Sequence, residues 1–446
     1  MALTGLEIFK LLPKDNCKKC GMPTCLAFAM QLAQKRVKLD DCPCASENAK
    51  QVLAAAAAPP MRLIKFGKQD QSLQVGQETT IFRHEEKFHN PAVVAVSISD
   101  TLGADALKQR IAAVSSLKFE RVGATIRVNS IAVLNDSKSA DAFAKAASAA
   151  AATGLAPILI SDAPESIAAA LEAIKSANVT PIIGAATMAT AEAMAKIAKD
   201  SKCPLVAKAG SIQELADLTA KIKAAGAEDI LLCLDGLSTK ELFYNLARIR
   251  VLSLKKAFNP LGYPVISFIK GGDGDAQAAT AIGLVCKYSN IIVLDTAEPY
   301  VFLPILTTIT NIYSDPQKPV QVESKVYAIG EVNENSPLLL TTNFSLTYYT
   351  VESDVESSRV PSYILCVDTE GTSVLTAYSG DKLNEKVVAA AMTKHGVEKM
   401  IKHHKLIIPG YVAVMSGKLE EATGWQIMVG PRESSMLPKY LQEVWK

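Results

Sequence analysis

Between residues 92 and 312 the chain alternates between two hydrophobic patterns. Short unbroken runs of β-branched and aliphatic residues fall at 92–98, 131–134, 157–160, 181–183, 204–207, 229–234, 264–269 and 290–294. An Ala/Lys/Glu-rich stretch with apolar residues at helical spacing follows each run: about 104–117, 139–152, 164–176, 187–199, 211–225, 238–256, 273–287 and 299–312. Runs this apolar predict strands buried on both faces, and therefore a parallel sheet. Eight strand–helix units in this length predict a closed (β/α)8 TIM barrel rather than an open sheet.

On either side the pattern changes. Residues 62–66 and 79–83 alternate polar and apolar around Gly76, which predicts a hairpin. A polar, proline-bearing stretch at 314–325 marks the far edge of the barrel. Beyond it, strand-like runs at 326–329, 338–341, 363–367, 406–408 and 427–429 alternate with helical stretches near 345–356, 381–395, 411–422 and 435–444. These predict a small open-sheet, Rossmann-like α/β domain, which by the general rule binds a ligand beyond the carboxyl ends of its strands. Helical spacing at 26–38 and five alanines before Pro59-Pro60 complete an N-terminal module and a stiff spacer. The expected domains are a cysteine-rich module at 1–58, a linker and hairpin at 59–91, the barrel at 92–316 and the terminal α/β domain at 317–446.

The predicted barrel strands end in polar residues: Ser99-Asp100, Asn135-Asp136, Ser161-Asp162, Lys208, Asp235-Gly236, Lys270-Gly271-Gly272 and Asp295. Asp, Ser and Asn before a helix are preferred N-caps, so capping accounts for nearly all of them and no catalytic residue is named there. The rim is left as a docking surface. The glycine-rich run 270–275 lacks the Gly-Lys-Ser/Thr of a phosphate loop.

Composition narrows the function classes. Of 446 residues, 49% are hydrophobic and 21% charged, with net charge +2, which gives no basic surface for nucleic acid or membrane. No apolar run approaches the ~20 residues of a membrane span, and residues 1–5 lack the start of a secretory signal. The expected location is the cytoplasm.

Candidate chemistry concentrates in the first 44 residues, which hold five of nine cysteines. Cys17, Cys20, Cys25 and Cys42 form C-x2-C-x4-C-x16-C, with Cys44 nearly duplicating the last. Thiolates this dense need a soft cation, either tetrahedral zinc or an iron–sulfur cluster. Three bunched ligands and one distant one favour a 4Fe–4S cluster over paired zinc knuckles, with Cys42 preferred to Cys44 as the fourth ligand. Gly21 and Pro23 would turn backbone N–H groups toward the sulfurs, and Lys14, Lys18 and Lys19 bring positive charge. In the terminal domain the predicted strand ends carry Thr341-Thr342-Asn343, the loop 368–373, Pro409-Gly410 and the loop 430–434. This hydroxylic, glycine-rich rim suits hydrogen bonds to a large amide-rich ligand.

The cysteine loop 16–25, the opening segment 3–10, the Ala-Ala-Ala-Pro-Pro spacer, the eight-fold barrel and the Gly/Thr/Ser-rich terminal domain resemble the family of large (gamma) subunits of the corrinoid iron–sulfur protein. That family belongs to the reductive acetyl-CoA (Wood–Ljungdahl) pathway. The resemblance implies Cys17, Cys20, Cys25 and Cys42 as ligands of a 4Fe–4S cluster. It places a corrinoid at Thr341, Thr347, the loop Glu370, Gly371, Thr372 and Ser373, and Ser434. The implied function is methyl carriage: the corrinoid cobalt accepts a methyl group from methyltetrahydrofolate on a separate methyltransferase and delivers it to acetyl-CoA synthase. The cluster relays electrons that return Co(II) to Co(I). The implied partners are a smaller subunit completing a heterodimer, the methyltransferase, acetyl-CoA synthase and a reductive activator. The alternative is a TIM-barrel enzyme with an N-terminal zinc or electron-entry cysteine module. Because no Asp-x-His-x-x-Gly motif occurs, the corrinoid is expected base-off and without a histidine ligand.

Overall fold

The structure, a computed structural model, describes residues 5–33, 37, 39–46, 49, 60–121 and 123–445. The alanine run, Pro59 and the end of the helix expected at 26–38 lie outside these residues. The chain divides into two compact units, one of residues 1–119 and 126–313, the other of residues 120–125 and 314–446.

In the first unit, helices α1 (Gly5–Leu11) and α2 (Cys25–Ala33) bury Ile8, Leu12, Phe28 and Ala29 together with Cys25 and Cys42. The hairpin β1 (Leu63–Lys68) and β2 (Leu73–Gly76) follows, joined by a turn at Gln69–Gln71. The sequence placed the second strand at 79–83 and the turn at Gly76; Gly76 instead ends β2, at φ 91°.

The barrel strands are β3 (Val93–Ser99), β6 (Ser130–Leu134), β7 (Ala156–Ile160), β9 (Ile182–Ala186), β10 (Leu205–Ala209), β11 (Ile230–Leu234), β12 (Ile266–Ile269) and β13 (Ile291–Leu294). An exposed hairpin, β4 (Lys118–Arg121) and β5 (Ala124–Arg127), precedes β6, and a two-residue strand β8 (Val179–Thr180) precedes β9. Helices α3 (Ala104–Ser115), α4 (Ala140–Ala151), α5 (Pro164–Ala173), α6 (Ala191–Ser201), α7 (Ile212–Ala224), α8 (Thr239–Lys255), α9 (Gly274–Cys286) and α10 (Pro299–Ile312) follow the eight strands in turn. All eight strands pair in parallel in the order β11-β10-β9-β7-β6-β3-β13-β12. A single parallel bridge, Leu232 to Val265, closes the ring between β11 and β12.

Alternation along each strand divides the core. Val94, Val96 and Val133 face outward onto the helices, while Val93, Ala95, Ala132, Val206, Leu231 and Val293 fill the barrel interior. Ile64, Phe66 and Val75 of the β1–β2 hairpin join the interior set. Arg62 is tied to Glu228 and Asp229, just before β11, so the hairpin plugs the N-terminal end and leaves the C-terminal mouth open.

The second unit carries a five-stranded sheet in the order β14-β16-β15-β17-β18: β14 (Val326–Ile329), β15 (Leu338–Thr342), β16 (Ser362–Val367), β17 (Lys405–Ile408) and β18 (Gln426–Val429). Only the edge strand β14 is antiparallel. Helices α11 (Ser345–Ser358) and α16 (Leu437–Val444) cover one face with the cluster around Tyr348 and Leu441. Helices α12 (Val374–Ser379), α13 (Glu385–Lys394), α14 (Val397–Met400) and α15 (Ser416–Thr423) lie with the cluster around Leu365, Val388 and Leu406. The open-sheet fold expected from the sequence is thus present, with α12 and the short α14 as unforeseen extra helices. No helix among the described residues is long and apolar enough to cross a membrane.

Candidate functional site

Two places gather the residues singled out in the sequence. The first is the cysteine loop. Cys17, Cys20, Cys25 and Cys42 line one very small pocket, together with Met22 and Phe28. Lys14, Asn16, Lys18 and Gly21 all adopt left-handed backbone conformations, which coil the chain tightly around it. The coil is pinned where Cys25 N–H donates to Asn16 Oδ1 at 2.8 Å. Cys44 does not line the pocket, yet its Sγ lies 3.6 Å from Cys17 Sγ, and Asp15 sits within reach of both. Burial pushes the Cys42 thiol up; a backbone hydrogen bond from Cys44 opposes this, and the thiols of Cys20, Cys17 and Cys25 add to it. The Cys44 thiol is raised through its hydrogen bond to Cys17. Four cysteines gathered around one pocket fit an iron–sulfur group, whose irons take thiolate ligands.

The second place is a crevice in the terminal unit. Among its parallel strands, β16 lies on one side of β15 and β17 on the other, so the chain reverses its winding between β15 and β17. The two adjoin through one registered pair, Leu339 with Ile407. Helices leave in opposite directions at such a switch point, which opens a crevice at the carboxyl ends of the strands. A crevice of about 340 Å³ lies there, floored by Leu339, Leu340, Ile407 and Ile408.

Of the residues proposed from sequence, Thr341, Thr347, Ser373 and Ser434 line this crevice. Thr341 is 1% exposed, and its hydroxyl meets no hydrogen-bond partner. A buried hydroxyl left unpaired costs about 1–3 kcal/mol, which a ligand reaching it would recover. Glu370, Gly371 and Thr372 do not line the crevice. They form a turn folded around buried Asn343, whose Oδ1 accepts from the N–H groups of Thr369 and Gly371, both at 3.0 Å. Glu370 reaches Lys382 Nζ at 2.5 Å, and the Thr372 hydroxyl donates to Thr369 O. Gly371 has φ 72°, and a Cβ there would lie 2.6 Å from Gln321 Cγ, so this turn accepts only glycine.

Tyr411, outside the strand-end loops named from sequence, lines the far wall with Arg432 and Glu433 of the loop 430–434, and its hydroxyl donates to Glu433 Oε1 at 2.7 Å, linking the loops after β17 and β18. Gly410 and Gly430 lie where these loops touch; a Cβ on Gly410 would stand 2.7 Å from Gly430 O. No histidine is among the residues lining the crevice. His403 accepts from Lys405 N–H through Nδ1 and, its other nitrogen therefore protonated, donates from Nε2 to Ser336 O at 2.9 Å. His404 stacks on Trp425. An apolar floor, an unmet hydroxyl and glycine-lined walls fit a large, amide-bearing cofactor such as a corrinoid.

The polar residues at the barrel mouth are mostly not helix caps, contrary to expectation. Ser139, Ser211, Ser238 and Asp273 cap the helices. The strand-end groups bond across the mouth instead: Asp100 to Ser137, Lys138 to Asp162, Lys208 to Asp235, and Asp295 to Gly271 and Gln277.

Comparison with known proteins gives two matching family models. The CO dehydrogenase/acetyl-CoA synthase delta subunit family matches residues 63–441, and an Fe-S cluster family matches residues 12–44. The corrinoid/iron-sulfur protein large subunit of Moorella thermoacetica is 44% identical over 98% of this chain and 97% of its own length. The acetyl-CoA decarbonylase/synthase complex subunit gamma of Methanothermobacter thermautotrophicus is 35% identical over 100% of this chain and 99% of its own. The gamma 2 subunit of the same complex from Methanosarcina thermophila is 33% identical over 99% and 98%.

Proposed function

Because this chain belongs to the family of corrinoid/iron–sulfur protein large subunits and acetyl-CoA decarbonylase/synthase gamma subunits, we propose that it is the methyl carrier of an acetyl-CoA pathway. It takes a methyl group from methyltetrahydrofolate on a separate methyltransferase and hands it to acetyl-CoA synthase. When bound, a corrinoid supplies the cobalt that holds the methyl group, and a 4Fe–4S cluster supplies low-potential electrons that keep that cobalt competent.

The observation that carries this reading is the crevice at the β15/β17 switch point, with its unmet Thr341 hydroxyl and no histidine in its lining. Thr341, Thr347, Ser373 and Ser434 would hold the corrinoid by hydroxyl hydrogen bonds. The turn at Glu370–Thr372 acts one step back by fixing Ser373 at the start of α12. Leu339 and Ile407 exclude water from the floor. No histidine lines the crevice, so this chain would offer a corrinoid no imidazole there; with the cofactor's own base also off, the reduced metal would be favoured.

Cys17, Cys20, Cys25 and Cys42 would hold the cluster, since these four share one pocket. Leu346, Leu375 and Tyr411 stand at the crevice mouth with 61%, 52% and 45% of their surface exposed, an apolar rim suited to coverage by cofactor and a smaller partner subunit. The other partners are the methyltransferase, acetyl-CoA synthase and a reductive activator, all in the cytoplasm. A visible absorption spectrum of protein purified anaerobically with its small subunit tests the reading. Corrinoid bands in near one-to-one ratio with the chain are expected; a spectrum of cluster alone would refute it.

A further inference from the structure

The barrel is the largest part of the chain, and the methyl-carrier reading gives its mouth no task. A pocket of about 550 Å³ opens there, lined by residues at the ends of β10, β11 and β12. It lies where the barrel wall is thinnest. Beyond the Leu232–Val265 bridge no registered pair joins β11 to β12, so Cys233 and Asp235 line one side and Phe268 and Lys270 the other. Strand edges facing such a gap present backbone N–H and C=O groups together.

The loop after β12, the seventh barrel strand, is Lys270-Gly271-Gly272, the position where barrels of this type often bind phosphate. Here that place is taken. The Asp295 carboxylate accepts Gly271 N–H at 2.8 Å and Gln277 Nε2 at 2.7 Å, so the donors an anion would use already hold one. This arrangement fixes something else. A carboxylate only accepts, so the NH2 of Gln277 must point at Asp295 and its Oε1 must point away. Gln277 is 4% exposed, lines the pocket, and Oε1 has no partner. A second amide at the mouth behaves alike: Asn135, 4% exposed, spends its NH2 on Ser161 Oγ and leaves Oδ1 unmet. The unmet groups here are acceptors, and they call for N–H donors. Lys208, paired with Asp235 at 3.0 Å, and Lys270 line the same pocket as Gln277. Leu134, Ile160 and Phe268 supply apolar walls.

We propose that the barrel mouth is a second ligand site, which takes a small flat nitrogen heterocycle carrying an N–H group beside a carbonyl, a lactam or cyclic imide. Its N–H donates to Gln277 Oε1, its carbonyl accepts from Lys208 or Lys270, and its ring lies against Phe268. The site belongs wholly to the barrel and is independent of the corrinoid reading.

The test is titration calorimetry on the anaerobically purified full chain with xanthine, which carries such edges, and with caffeine, the same ring with those N–H groups methylated. Xanthine is expected to bind with a dissociation constant below about 1 mM, the range open to a ligand of this size. Caffeine is expected to bind about tenfold or more weakly, and Gln277→Met and Lys208→Met to weaken xanthine by a similar factor. Lys208 is half-exposed, so its variant keeps the test valid if the Gln277 variant does not fold. No xanthine heat at millimolar concentration, equal binding of caffeine, or binding of inorganic phosphate that Lys208→Met abolishes would each overturn the proposal.

Discussion

Thr341 carries its hydroxyl into the crevice floor without a partner, and a single atom there separates two properties that usually move together. Thr341→Val keeps the shape and removes the unmet group. Stability of the cofactor-free chain should stay level or rise by less than about 1 kcal/mol. Corrinoid retention through gel filtration should fall, and a variant that loses stability while keeping cofactor would contradict the assignment. At the same scale, His403 gives a pH dependence. Burial lowers its pKa, a hydrogen bond to Ser336 works against this, and Lys405 and His404 lower it further. Protonation would also remove the Nδ1 acceptor that Lys405 N–H uses. A lowered folded value means the unfolded chain binds the extra proton, so stability is held above the ordinary histidine value of about 6.5 and lost as pH falls below it. Urea unfolding of the terminal unit should weaken between neutral pH and mildly acid pH, and His403→Gln should flatten that slope. These residue-scale features were only partly legible. The hydroxylic strand ends and the loop 430–434 could be read from sequence, but the bond from Tyr411 to Glu433 could not, because nothing local pairs those two side chains.

Among the elements, the β1–β2 plug depends on the segment that follows it. Glu78, 1% exposed, accepts the N–H groups of His89 and Asn90 and faces Arg250 of α8 at 3.6 Å. The Arg250 guanidinium, 2% exposed, donates twice to Thr80 O and stacks over Phe88 and Tyr288. Arg250→Met would leave a buried carboxylate facing no cation, at a cost on the order of 3–5 kcal/mol. Thermal unfolding should show a clear fall in Tm, and adding Glu78→Gln should recover part of it; a Tm unchanged by Arg250→Met would refute the pairing. The eight barrel units were legible because each strand is buried on both faces and each helix carries an apolar stripe. The plug was misread because residues 79–83 alternate as a strand does, while their backbone serves Arg250 and the barrel helices instead. The β4–β5 hairpin escaped notice because its residues are largely exposed and show no apolar alternation.

At the scale of the whole molecule, the account assigns electron delivery to the cysteine module and methyl carriage to the terminal unit. Their separation is testable by Cys20→Ala, which should remove the complement of about four irons per chain yet leave corrinoid content unchanged. Reductive reactivation should be lost, while methyl transfer from pre-reduced cobalt continues. Loss of both functions together would mean that the two sites are not separate. The order of module, barrel and open sheet was readable from pattern alone. The preference for Cys42 over Cys44 was made from sequence; Cys42 lines the pocket, and Cys44 lies against Cys17.

We propose a corrinoid held in the β15/β17 crevice by a chain that offers its cobalt no nitrogen. Electron paramagnetic resonance of the Co(II) state, in protein purified with its small subunit, tests it most directly. The expected result is a Co(II) signal without superhyperfine splitting from an axial nitrogen. A signal carrying that splitting would contradict it.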